Sequence, residues 1–170
     1  SGALLLSVLA ESADAVGLGI DADAQAVQVA RSNGRALGVA DRCAFVCNNW
    51  MDGMSTAQAE SLLNPCFFAA SVTVPAGVRE MLPWRGFDLI VIVANPPYIP
   101  RLEVDKLAVD VSKFEPRLAL DGGADGLDCY SHLAHVIARL LRSGGFFLVD
   151  LGFYQLIDVE NLLFANQELI

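Results

Sequence analysis

The chain has 170 residues, 54% of them hydrophobic, which is enough for one domain with a buried core. Its net charge of −9 and the lack of a Lys/Arg cluster argue against direct binding of DNA or RNA, whose phosphates call for grouped cations. Mean hydropathy is high at +0.46, yet no apolar run approaches the roughly 20 residues of a bilayer span, so no membrane association is expected.

The first element in chain order is a helix over residues 3 to 12, "ALLLSVLAES". "AVGLGID", 15 to 21, reads as a strand ending in an acid. Asp23 then caps a helix over 24 to 37, with Ala26, Ala30, Asn33 and Leu37 along one face and Gly38 as its stop. "CAFVC", 43 to 47, is the next strand. Residues 53 to 86 are too long for a simple connection. They hold a capped-helix signal at Ser55 and a strand-like piece, "CFFAASVTV". Phe87 to Ala94 is the strongest strand candidate, β-branched and nearly uncharged, with the length of a buried parallel strand. A polar loop is expected over 98 to 123. "GLDCYSHLAHVIARLLRSGG" is a periodic helix closed by a glycine pair, "GFFLVDL", 145 to 151, is the last strand, and an amphipathic helix covers 154 to 166.

Alternating helices and apolar strands predict an α/β fold: a doubly wound, mostly parallel sheet with helices on both faces. Such a sheet normally opens with a strand feeding a glycine-rich turn. Here Ser1-Gly2 leads directly into a helix and the tail closes on one, so the expected domain over 1 to 170 is cut at both ends and interrupted at about 53 to 86. With the interior neighbour of two strands missing, a piece of this extent is expected to be poorly stable and inactive.

In an open α/β sheet, ligands lie outside the carboxyl ends of the strands. Asp21 stands nineteen positions after Gly2, near the ~20-residue spacing at which an acid meets a nucleoside ribose. Asn49-Trp50 follows the next strand, where an amide can meet an adenine edge and an indole can pack beside the ring. Each is equally readable as an ordinary strand-end acid and a loop tryptophan.

Asn95-Pro96-Pro97-Tyr98 is the sharper signal. Asn95 precedes a proline and is driven to an extended backbone. Pro96 and Pro97 have fixed φ and no N–H, so the turn is stiff and offers carbonyl acceptors without competing donors. That suits a planar NH₂ group. The Asn95 oxygen accepts one hydrogen, the Pro96 carbonyl the other, and Tyr98 covers the flat face. The nitrogen lone pair is then aimed at one point, where an electrophile can be delivered in line.

Other groups carry less. Cys43, Cys47, Cys66 and Cys129 form no CxxC pair and read as small core residues of a reducing compartment; with no basic leader-like stretch visible, that compartment is cytoplasmic or the mitochondrial matrix. Cys43 and Cys47 share a strand face with Phe45. His132 and His135, three apart on a helix, lack further ligands, and no metal is expected. Glu115 and Asp121 are read as loop-ordering acids, Arg101 and Lys106 as surface charges.

"SGALLLSVLAE", "GIDADAQAVQVARSNGRALGV", "NNWMDG", "FDLIVIVANPPYIP", "VSKFEPRLALDGGADGLDCY" and "SGGFFLVDLGFYQ" together resemble the release factor glutamine methyltransferases (the HemK/PrmC family), which use S-adenosylmethionine. The resemblance covers most of the chain outside 53 to 86, and "FEPRLALDGGADGL" is its specific part. It implies a Rossmann-like methyltransferase sheet, with Ser1-Gly2 the end of the cofactor loop, Asp21 the ribose acid, and Asn49, Trp50 and Asn95 cofactor contacts. It further implies that Asn95, Pro96, Pro97 and Tyr98 hold the glutamine amide of a Gly-Gly-Gln motif in a peptide-chain release factor. Asn95, Pro96 and Tyr98 are then the catalytic residues. The chain departs from the family in having Asn49 where an acid is usual and in its long 53 to 86 segment. Two other readings stay open: an amino methyltransferase acting on DNA, RNA or another protein, and a methyltransferase-like domain that binds without catalysis.

Overall fold

A computed structural model describes residues 1–49, 91–141 and 144–165. Within that range it is a mixture of helices and parallel strand pairs, gathered into two compact units, Ser1–Asp88 and Leu89–Ile170. The predicted Ser55 helix, the "CFFAASVTV" strand, Trp50, Cys66 and the first part of the 87 to 94 strand lie outside the described residues.

The first unit runs α1 (Ala3–Glu11), β1 (Gly17–Asp21), α2 (Ala24–Ala36), β2 (Cys43–Cys47). β1 and β2 are parallel, in register from Gly17↔Cys43 to Asp21↔Cys47. The Asp23 carboxylate accepts from Gln25 N at 2.7 Å, the expected N-cap of α2. At the other end, Gly38 N donates to Arg35 O at 3.1 Å and Val39 N to Gly34 O at 3.0 Å. Gly38 sits at φ +70°, so the predicted stop is a Schellman turn with Val39 tucked into the core. Arg42 closes α1: its guanidinium donates to the carbonyls of Leu9, Ser12 and Ala15 at 2.7, 2.8 and 2.9 Å. Leu6, Leu9, Val27, Ala30, Val39 and Phe45 form the core.

The buried face of α2 differs from the sequence expectation. Val27, Ala30 and Gly34 are buried, whereas Asn33 and Leu37 are exposed. Gly34 turns inward because Cys43 and Leu6 come so close that a Cβ there would stand 3.2 Å from the Cys43 sulfur. The cysteines also divide. Cys43 packs on the core, but Cys47, at the open end of β2, is exposed, with its sulfur 3.4 Å from Ala22 O.

The second unit contains β3 (Val91–Ala94), α3 (Arg101–Val104), α4 (Val109–Phe114), a 3-10 turn (Arg117–Ala119), α5 (Asp128–Leu140), β4 (Phe146–Val149) and α6 (Leu156–Ala165). β3 and β4 are parallel, in register from Val91↔Phe146 to Ala94↔Val149. Tyr130, Leu133, Ala134, Ile137, Val104, Leu120 and Val159 are buried. Two expectations are corrected here. The strand read as buried exposes Val91 and Val93, as β4 exposes Phe146 and Leu148, because side chains alternate between faces and only the other face is half buried. The segment expected as polar loop holds two short helices and a 3-10 turn, started after Pro100, Ala108 and Pro116. Each is too short for helical periodicity to register in the sequence.

Candidate functional site

The first group of candidate residues lies at the carboxyl end of the β1–β2 pair. Asp21 ends β1, is exposed, and accepts Asp23 N on Oδ1 at 3.0 Å, which fixes its carboxylate over the turn into α2. Its backbone oxygen accepts Asn48 N at 3.0 Å. Since Asp21 is in register with Cys47, exposed Asn49 leaves β2 at the same end. Gly2 precedes α1 at φ +75°, and a Cβ there would stand 2.8 Å from the Ala30 methyl and 3.0 Å from the Phe45 ring. The first turn of α1 carries no acid and no side-chain cap. The structure thus brings Asp21 and Asn49 to one strand end in this unit, while Trp50 lies outside the described residues.

The second group follows β3. Asn95 is exposed, Pro96 buried, Pro97 and Tyr98 half buried. Ala94 O accepts Asp150 N at 3.0 Å, so the loop leaves from a fixed strand end. Beyond it, Ile99 N donates to Leu120 O at 3.1 Å and Ile99 O accepts Gly122 N at 2.9 Å, an isolated parallel bridge to Asp121. Gly122 lies so close that a Cβ would meet Pro97 O at 2.8 Å and Tyr98 Cα at 2.9 Å. Gly126, at φ +84°, leaves no room for a Cβ beside Tyr98 O. Only glycines allow the 122–126 segment to lie against this loop.

Asp121 ties the segment down. Its carboxylate accepts Gly123 N at 3.0 Å and Arg101 Nε at 3.1 Å, with Arg117 Nε at 3.7 Å. The Gly123 N–H lowers its pKa below the usual carboxylate value against an opposing desolvation, and Arg101 lowers it further. Arg117 also reaches Asp105 at 2.7 Å. Asp121 therefore orders the loop as expected, and Arg101, read as a surface charge, is its partner. From the other side, Gln155 donates to Tyr98 O at 3.0 Å and to Gly126 O at 3.3 Å. The Tyr130 hydroxyl donates to Asp150 O at 3.0 Å. Burial, then the Asp150 charge, pushes that phenol well above its ordinary pKa, which keeps it a donor.

A release factor glutamine methyltransferase of Caulobacter vibrioides is 40% identical over 165 residues, 97% of this chain and 47% of its own length. That of Rhodospirillum rubrum is 40% identical over 163 residues, 96% of this chain and 41% of its own length. The chain belongs to the release factor glutamine methyltransferase family. A further relative of that name, from Moorella thermoacetica, is 48% identical over 94 residues, 55% of this chain and 32% of its own length. The chain thus spans less than half the length of these curated relatives. No family model matches it.

Within this family member, the "FEPRLALDGGADGL" block packs beside the Asn-Pro-Pro-Tyr loop. It supplies Gly122 and Gly126, which lie against that loop, and Asp121 and Arg117, which tie down the segment that carries them. Tyr130 and Gln155 were missed as functional candidates. Gln155 meets Tyr98 across 57 positions, a separation no local pattern encodes. Their one signal was membership of the family-like stretches "GLDCY" and "GFYQ". His135, on α5, places Nδ1 2.8 Å from Ser131 O, a bond within its own helix. Among the described residues no group of three His, Cys, Asp or Glu could hold a metal, and no helix is long and apolar enough to cross a membrane.

Proposed function

We propose that the protein transfers a methyl group from S-adenosylmethionine to the side-chain amide nitrogen of a glutamine, that of the Gly-Gly-Gln motif in a peptide-chain release factor. On this reading 1 to 170 is part of one doubly wound methyltransferase domain with an insertion at about 53 to 86. The observation that carries it is the Asn95–Tyr98 loop, clamped at the carboxyl end of β3. The names of the relatives support a release factor as the substrate and are consistent with that chemistry.

The residues of the first unit fit the cofactor. Exposed Asp21, with its carboxylate fixed by Asp23 N–H, suits two ribose hydroxyls. Asn49 offers an acceptor oxygen for an adenine amino group, and Trp50 a face for the ring. The uncapped start of α1 after Gly2 leaves backbone N–H groups for the carboxylate of the cofactor's methionine part. When bound, S-adenosylmethionine supplies an electrophilic methyl carbon.

The protein's task is to make a poor nucleophile react. An amide nitrogen shares its lone pair with the carbonyl. Asn95 Oδ1 and the Pro96 carbonyl each accept one amide hydrogen, which holds the nitrogen and favours the form in which its lone pair is localised. Pro96 and Pro97 have no N–H to compete, and Tyr98 excludes water from the flat face. Such pre-oriented groups contribute on the order of 3 kcal/mol each to a transition state. No general base is required, because the cationic product nitrogen gives its proton to water.

The test is transfer of a labelled methyl group by the full-length protein to a release factor, beside the same factor with its motif glutamine changed to alanine, and beside DNA and RNA. Label on the first alone is expected. Label on nucleic acid, or cofactor binding without transfer to any of them, would overturn the reading.

A further inference from the structure

We propose that Gln155 is a positioning residue for methyl transfer, fixing the Asn95–Tyr98 loop through its amide donors. The proposal rests on the reading of that loop as the amide-holding site. Two consecutive prolines leave the loop without N–H groups of its own at Pro96 and Pro97, so it can be anchored there only by donors brought from elsewhere. Ala94 O is held by Asp150 N, and Ile99 O by Gly122 N. Between these points, the Gln155 side chain donates to Tyr98 O at 3.0 Å.

The orientation of that amide is not arbitrary. Tyr98 O and Gly126 O can only accept, and both lie at Nε2; Gly152 N can only donate, and lies 2.9 Å from Oε1. Turning the amide over would set its oxygen against two carbonyls. The Tyr130 hydroxyl, its single hydrogen directed to Asp150 O, stands 3.5 Å from Oε1. Gln155 is itself held, since its N–H donates to Gly152 O at 2.9 Å and its carbonyl accepts Val159 N at 2.9 Å at the start of α6. One side chain therefore joins the turn after β4, the glycine segment at Gly126 and the carbonyl of Tyr98. That carbonyl belongs to the Tyr98–Ile99 peptide plane, whose N–H donates to Leu120 O. Rotation of the plane would shift Tyr98 Cα, and with it the ring and the proline carbonyls just before it.

Gln155→Glu tests this with almost no change of shape. It removes both donors and sets a carboxylate against two carbonyls, which raises its own pKa. A fall in kcat on the order of 10²-fold is expected at pH 8, as for a slight misplacement of reacting groups. Cofactor affinity should stay within about threefold, because the cofactor contacts assigned to Asp21 and Asn49 are untouched. Activity should recover in part towards pH 6, as the protonated acid regains one donor. Gln155→Met, which fills the space but cannot donate, should lose activity without that recovery. Amide hydrogen exchange at Tyr98, Ile99 and Arg101 should rise in both variants. Wild-type kcat and unchanged exchange in Gln155→Glu would overturn the proposal. Fast exchange of the Gln155 side-chain amide protons in the wild-type protein would overturn it without any variant. If the wild-type protein does not methylate glutamine and Gln155→Glu still loosens residues 98–101, the function reading fails and the positioning role stands.

Discussion

The carboxyl ends of β1 and β3 each present a polar residue just past an apolar strand, but they are held in different ways. Asp21 is set by its neighbours: Asp23 N fixes its carboxylate, and Asp23 caps the helix that follows. Among the described residues, no such bond from a near neighbour holds the Asn95–Tyr98 loop. Its partners are Asp150, Leu120, Gly122, Gly126 and Gln155, up to 57 positions away. A group that binds needs one well-aimed acceptor, and two residues of context can supply that. On the proposed function the loop has to orient a reacting nitrogen and so to resist displacement in several directions, which a stiff loop packed from two sides achieves.

The sharpest break between the two ends should come from Asn95→Ala. On the proposed function, loss of its acceptor is expected to lower methyl transfer to a release factor by on the order of 10²-fold or more, with cofactor affinity within a few fold. Asn95→Asp keeps an acceptor and should lose less. Turnover at saturating cofactor checks both, and wild-type turnover in Asn95→Ala would remove Asn95 from the mechanism.

Paired glycine substitutions come next. Gly122→Ala drives a methyl group into Pro97 O and Tyr98 Cα, backbone atoms that cannot step aside. A stability loss of roughly 1–3 kcal/mol is expected, with a fall in kcat. At Gly38, where a Cβ would meet nothing within 4 Å, alanine should cost roughly 1–2 kcal/mol through its left-handed φ alone, with kcat unchanged. Thermal unfolding and turnover on both variants decide whether the loop or the fold in general is at stake.

At the end proposed for the cofactor, Asp21→Ala should weaken S-adenosylmethionine binding by about tenfold or more, the loss of a charge-assisted hydrogen bond worth about 1.5–3 kcal/mol. The fold should hold, because Asp21 is exposed. A calorimetric titration showing unchanged affinity would defeat the ribose assignment.

The smallest effect concerns pH. The Asp121 carboxylate is stabilised in the folded protein mainly by Gly123 N–H, so its folded pKa lies below its ordinary 3.8. Its contribution is complete above the unfolded value and lost as pH falls through the lower, folded one. Loop order should therefore be flat from pH 8 to 5 and decline below about 4. In Asp121→Asn that acid step should disappear, as followed by the amide resonance of Gly123.

Much of the fold was legible because its signals are short. Asp23 at an N-cap, Gly38 at a helix stop and the apolar runs at β1, β2 and β4 act over one to four residues. The errors arose where several short signals compete or depend on distant atoms. Ala26, Ala30, Asn33 and Leu37 line up along one face of α2, but the approach of Leu6 and Cys43 selects Val27, Ala30 and Gly34 as the face that packs inward. Cys47 continues the face of Phe45 yet is exposed, because β2 ends there. The one-turn α3 and the six-residue α4 show no period at all.

The sequence alone determined the order of the elements, the caps of α2, the acid ending β1 and the chemistry of a proline-stiffened turn bearing an amide. Those are properties of covalent structure and near neighbours. Only the tertiary structure decided what holds that turn: that Gly122 and Gly126 press against it, that Asp121 takes Arg101 as partner, and that Gln155 reaches back to Tyr98 O. A hydrogen bond between residues 57 positions apart leaves no periodicity at either end, because its geometry exists only once β3, α5 and β4 have packed.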